Sequence, residues 1–135
     1  VGDLDLTFTP RLWRGDPQVV HVHDIHLLEA GVLAVRRLRA QGRSVHLVYD
    51  AHEFVPGMAA RSRRTADAWA AMEADLIGHA DAVVTVSEPI ADALHERYGL
   101  RRRPTVVLNA PVLAEARPAT GDVRSQAGVA PGVPL

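Results

Sequence analysis

The stretch Val45-His46-Leu47-Val48-Tyr49-Asp50-Ala51-His52-Glu53-Phe54 decides how the rest of the chain is read. Val45, Leu47 and Val48 form a short apolar run of the kind that fills a buried parallel strand. The run stops at Asp50. His52 and Glu53 follow, and then Pro56 and Gly57, so ionisable groups gather where a buried strand gives way to a loop. In open α/β sheets, ligands bind in the crevice at the carboxyl ends of the strands, and these groups would meet a ligand there.

Working outward, the same pattern recurs. Val19 to His23 predicts a first strand, ended by Asp24. Leu28, Val32 and Val35, widened by Leu27, Ala34 and Leu38, predict an amphipathic helix over Leu27 to Ala40. Arg36, Arg37 and Arg39 lie near its C-terminus, where cations complement the helix dipole, and Gly42 is its stop. After the Val45 to Tyr49 strand comes a loop with Pro56, Gly57, Arg61, Arg63 and Arg64. At about ten residues it is longer than the usual ~2–6 of a βα connection, as binding loops often are. A helix from Thr65 to His79 follows, with Trp69, Met72, Leu76 and Ala80 at helical spacing and read as packing on the sheet.

Asp81 to Val86 predicts a third strand. Ser87 is placed to cap the next helix, with Glu88 and Pro89 in its first turn. Ile90, Leu94 and Tyr98 continue that helix to a stop at Gly99, and Thr105 to Leu108 predicts a fourth strand that ends at Asn109 and Pro111. Upstream, Leu4, Leu6 and Phe8 alternate with polar residues like a half-buried or edge strand, before a loop at Pro10, Gly15, Asp16 and Pro17. Strands alternating with helices define an α/β class with an open parallel sheet and right-handed crossover helices. Beyond Pro111 the chain is rich in Pro and Gly and reads as a linker with at most one short helix, near Val123 to Ala127.

Composition narrows the chemistry. A chain of 135 residues, 47% of them hydrophobic, supports one domain with a core. A net charge of −1 and a 4% aromatic content offer neither a basic field nor stacking platforms, so no nucleic-acid partner is expected. There is no Cys, which removes disulfides, thiolate metal sites and thiol nucleophiles. All 15 basic residues are Arg, so neither a Schiff-base lysine nor a P-loop lysine exists. No apolar run is long enough to span a membrane and no signal pattern opens the chain, which is compatible with a cytoplasmic protein, peripheral membrane contact included. The absence of an initiator Met predicts a piece of a longer protein.

The residues at the strand ends are His23 and Asp24, then Asp50, His52 and Glu53, then Ser87 and Glu88, then Asn109. A parallel sheet brings all of them to one edge, which makes them a candidate site. Helix capping alone would account for Asp24 and Ser87. His21 and His23, at i and i+2 on one strand face, with His26 nearby, raise a zinc reading and with it a metal-dependent hydrolase. Two ligands without a third or fourth at suitable spacing argue against it, and no metal or other cofactor is expected. Ser87 lacks the flanking glycines of a nucleophile elbow, and no Gly-x-Gly-x-x-Gly loop exists. The Arg clusters at 61–64 and 101–103 read as solvated surface.

Four segments together carry a resemblance: Val-Val-His-Val-His-Asp at 19–24, Val-Tyr-Asp-Ala-His-Glu-Phe at 48–54, Ala-Asp-Ala-Val-Val-Thr-Val-Ser-Glu at 80–88, and Val-Val-Leu-Asn-Ala-Pro at 106–111. In this order and spacing the chain resembles the N-terminal domain of the group 1, or family 4, retaining glycosyltransferases. The resemblance implies a partial N-terminal, acceptor-side Rossmann-like domain of a GT-B fold over residues 1–110. Residues 111–135 would be the interdomain linker and the lead-in to a donor-binding domain. It implies a hexosyltransferase of carbohydrate biosynthesis that moves sugar from a nucleotide-sugar donor to an acceptor with retention, without metal, and it implies that this fragment alone is inactive. His52 matches the position of an N-domain histidine beside the transferring sugar and is the expected catalytic residue, acting by positioning and hydrogen bonding. His23, Asp24, Glu53, Ser87, Glu88 and Asn109 are the expected substrate-binding residues. A hydrolase using His21 and His23, and a non-catalytic α/β interaction domain, are the alternatives.

Overall fold

The computed structural model describes residues 12, 14–58, 62–110, 123–130 and 133. Four strands, β1 (Val19–His23), β2 (His46–Ala51), β3 (Ala82–Thr85) and β4 (Thr105–Val106), alternate with the helices α1 (Ile25–Ala40), α2 (Arg63–Leu76) and α3 (Glu88–Tyr98). Short 3-10 turns follow β2 (Val55–Gly57) and α2 (Ile77–His79), and a single-turn helix α4 covers Val123–Gln126. The sheet order is β1-β2-β3-β4 and every pair is parallel, giving the Rossmann-like α/β arrangement expected from the alternation. The predicted strand over Leu4 to Phe8, and most of the linker after Pro111, lie outside the described residues.

Burial alternates along β1 and β2, and so distinguishes two faces. Val20, Val22, Leu47, Tyr49 and Ala51 point into the core with Leu28, Val32, Val35 and Leu38 of α1. Steps that always advance in one direction with one hand place every crossover helix on the same face. The contacts agree. A Cβ on Gly31 of α1 would lie 2.6 Å from Val22 Cγ1 and 3.2 Å from Leu47 Cδ1, so a glycine lets the helix backbone approach the sheet. Glu73 of α2 and Tyr98 of α3 meet Tyr49 of β2 on that side. The opposite face carries His21, His23, His46, Val48 and Asp50, and no described helix covers its β1 end, where Val19 is 53% exposed.

Local signals set the boundaries. Ser62 caps α2 by accepting from the Thr65 N–H, and Ser87 caps α3 by accepting from the Ile90 N–H. Gly99 ends α3 in the left-handed conformation at φ 58°. The Arg39 guanidinium donates to the Val45 carbonyl (2.9 Å) and to Asp81 Oδ2 (2.5 Å), tying the end of α1 to the start of β3. One boundary differs in a way that matters for the site. β2 runs on through Asp50 to Ala51, because Asp50 pairs with His23 on one side and Val84 on the other. Its carboxylate lies on the face opposite the helices, where a strand tolerates a polar side chain.

Candidate functional site

Two of the connections at the carboxyl edge of the sheet bear on the site: the turn from β1 into α1 and the loop after β2. They enclose a cleft of about 160 Å³ whose polar lining is Asp24, His26, Tyr49, His52 and Glu53, with Ile25, Val55 and Met58 as its apolar part. Pockets that engulf a small molecule run to roughly 300–1,000 Å³, and this cleft is smaller than that.

Asp24 has the most unusual backbone of the described residues. It stands at the N-cap position of α1 with φ 61° and ψ 160°, yet its side chain makes no capping hydrogen bond. Its N–H donates to the Asp50 carbonyl (3.0 Å), which pins the turn to β2. This conformation suits glycine and costs another residue on the order of 1–3 kcal/mol. A side chain held under strain without capping its helix is one available to a ligand. Asp24→Gly is therefore expected to stabilise the fold by about 1 kcal/mol while removing a carboxylate from the cleft. Urea denaturation measures this directly, and a Gly variant less stable than the parent would refute the strain.

Asp50 organises a second group around His52. His52 Nε2 lies 3.1 Å from Asp50 Oδ2, His23 Nδ1 lies 3.2 Å from the same oxygen, and His21 Nε2 lies 3.6 Å from it. The His23 and His52 nitrogens are 3.3 Å apart. The His21 and His23 rings stack at 4.5 Å between centroids. Register explains the cluster. His23 is paired with Asp50, and residues two apart on a strand share a face, so His21 and His23 both stand beside Asp50, while His52 reaches the same oxygen from the loop that follows β2. The expectation of no metal rested on a count of two ligands; the fold brings Asp50 and His52 to the same place.

Of the expected site residues, Asp24, His52 and Glu53 line the cleft, and His23 reaches it through His52. Ser87, Glu88 and Asn109 are not among its lining. Ser87 Oγ is engaged as the α3 cap. Glu88 and Asp92 hold Arg103 at 2.5 and 2.6 Å. Asn109 is exposed beyond β4. Tyr49, Val55 and Met58 joined the cleft without having been expected there, and the His26 ring meets Trp69 of α2 in an edge-to-face contact with centroids 4.9 Å apart.

Beneath the cleft floor lies a buried polar network that the sequence reading missed. Glu73 is fully buried, and its two carboxylate oxygens accept hydrogen bonds of 2.7 Å from Tyr49 Oη and Tyr98 Oη. Burial pushes the Glu73 pKa up, against the lowering effect of the two hydroxyl donors and of Arg97. Burial and the neighbouring carboxylate push Tyr49 and Tyr98 up as well. The network ties β2, α2 and α3 together and fixes Tyr49 under the site.

A parallel sheet with crossover helices on one face defines a Rossmann-like α/β domain, and in such sheets ligands bind at the carboxyl edge, where the polar cleft lies. Comparison with known families matches residues 4–112 to Glycosyltransferase Family 4, and the chain belongs to that family. No curated protein matches it. No helix among the described residues is long and apolar enough to cross a membrane.

Proposed function

We propose that this chain supplies the acceptor-side wall of a retaining, hexosyl-type sugar transferase working in the cytoplasm on nucleotide-sugar donors. The observation that carries this reading is His52 beside Asp24 and Glu53 in one cleft at the carboxyl edge of a Family 4 domain. Imidazole and carboxylates in such a place suit sugar hydroxyls: His52 donates to or accepts from a hydroxyl of the transferring sugar, while Asp24 and Glu53 accept from hydroxyls. These residues position the reactants and stabilise the transition state by hydrogen bonding; none is assigned as a covalent nucleophile. The family match favours transfer over a hydrolase or a non-catalytic interaction domain.

Transfer requires donor diphosphate and acceptor held together, and this chain has no Lys and no Gly-rich phosphate loop to hold the diphosphate. By itself it is expected to transfer nothing and to bind nucleotide sugars only at about millimolar concentration, since most of the contact surface would come from elsewhere. Calorimetry with a panel of UDP- and GDP-sugars, alongside amide-shift mapping, tests both points. Weak shifts confined to residues 24–26 and 52–58 are expected. Micromolar binding, sugar transfer by the 135-residue chain, or shifts confined elsewhere would overturn the reading.

A further inference from the structure

We propose that His21, His23, Asp50 and His52 bind one divalent transition-metal ion of the zinc type. The inference goes beyond sugar transfer and stands on geometry alone. In tetrahedral zinc sites the bonds to nitrogen and oxygen are about 2.0–2.2 Å, which places neighbouring ligand atoms roughly 3.3–3.6 Å apart. Here His23 Nδ1, His52 Nε2 and Asp50 Oδ2 form a triangle with sides of 3.1, 3.2 and 3.3 Å, and His21 Nε2 stands 3.6 Å from Asp50 Oδ2. His21, His23 and Asp50 each offer a donor atom within 4.8 Å of the other two. His21, His23 and Asp50 stand on two adjacent strands, with His23 paired to Asp50, so the sheet fixes their spacing, and His52 joins them from the loop directly after β2.

Hydrogen bonding alone accounts poorly for the arrangement. Three imidazole nitrogens converge on a single carboxylate oxygen, which has two lone pairs. If His23 and His52 both donated to it, two N–H groups would face each other across 3.3 Å. A cation at the centre satisfies three neutral imidazoles and the carboxylate at once. Three nitrogens and one oxygen select zinc, cobalt or nickel over magnesium or calcium, which require oxygen ligands. The side chains of His21, His23 and His52 are 46%, 56% and 38% exposed, so an ion can reach them from solvent. An ion held there also takes the His52 lone pair. On the reading of His52 given above, zinc would withdraw it from the sugar and inhibit transfer.

The test uses the untagged 135-residue chain after chelator treatment and dialysis. Titration with Zn²⁺ by calorimetry, and with Co²⁺ by visible absorption, should show one equivalent bound at about micromolar Kd or tighter, with the intense bands of tetrahedral cobalt and no competition from Mg²⁺. The double variant His23→Ala/His52→Ala should weaken zinc binding by at least about 100-fold, the upper end of what losing an outer-shell partner costs. The exposed change His21→Gln gives a second variant that should fold normally, checked by circular dichroism, and should weaken binding in the same direction. Absence of stoichiometric binding, or affinity unchanged in folded variants, would overturn the site. Neither result depends on sugar transfer, so this proposal and the functional one fail separately.

Discussion

Glu73→Ala is expected to destabilise the domain by about 2–3 kcal/mol, because the buried Tyr49 hydroxyl and the partly buried Tyr98 hydroxyl lose their acceptor, at ~1–3 kcal/mol for a fully buried group and less for a partly buried one. The cost falls on three elements together, since Tyr49 belongs to β2, Glu73 to α2 and Tyr98 to α3. The same network has a pH dependence whose sign follows from burial. The Glu73 pKa is raised in the folded state, so the folded protein holds that proton more tightly than the unfolded chain does. Its contribution is fully present below the ordinary glutamate value of 4.5 and is lost as pH rises through the raised folded value. Asp81, whose carboxylate is held low by the Leu47 N–H and Arg39 in spite of partial burial, acts in the opposite direction, but only below 3.8. Denaturation midpoints from pH 4.5 upward should therefore fall in the parent. In Glu73→Gln that fall should be reduced or abolished. The triple variant Glu73→Leu/Tyr49→Phe/Tyr98→Phe, which removes all the polar groups together, should recover much of the loss. A Glu73→Ala protein as stable as the parent would show that the carboxylate contributes nothing net.

On the function proposed above, His52→Ala in a transferase that contains this domain is expected to lower turnover by roughly 10²-fold, the scale on which one positioned polar group acts on a transition state. Stability should change little, since the His52 side chain is 38% exposed and sits at a loop edge. His52→Gln should recover part of the activity by keeping a hydrogen-bonding group at a similar reach. The loss should appear mainly in kcat if the bond forms only in the transition state, and mainly in KM if it holds the ground state equally. A folded His52→Ala enzyme with unchanged kcat/KM would remove His52 from the machinery.

Much of the fold was legible because local and global signals agree. The apolar runs at 19–23 and 45–49, the cap at Ser87 and the left-handed stop at Gly99 all lie where the chain needs them. The strand ends foretold an edge with Asp24, His52 and Glu53 on it. Asp50 was read as a strand terminator because polarity in sequence does not say which face of a sheet is open. Once β2 pairs on both sides and no helix among the described residues covers the β1 end of one face, a carboxylate within the strand is accommodated. The convergence of His23 and His52, 29 residues apart, depends on parallel register, which no periodicity encodes. Glu73 did leave a trace: it lies four residues after Trp69 and four before Ile77, inside the stripe read as apolar. A charged residue on the buried side of a helix, facing a strand tyrosine, is a signal of a polar network that helical spacing alone passes over.

The strand order has a consequence for how the chain acquires its structure. Among the described residues, order across the sheet equals order along the sequence, so none of the four strands waits for a later one to be inserted beside it. Val20, Val22, Leu28, Val32, Val35 and Leu47 can meet as soon as residue 51 has been made, and β3 and β4 then add to an edge that already exists. Each added strand closes only the single crossover loop that precedes it, which keeps the entropy of loop closure modest at every stage. During synthesis the βαβ unit that carries His23, Asp24, Asp50 and His52 is thus complete before β3 and β4 are made.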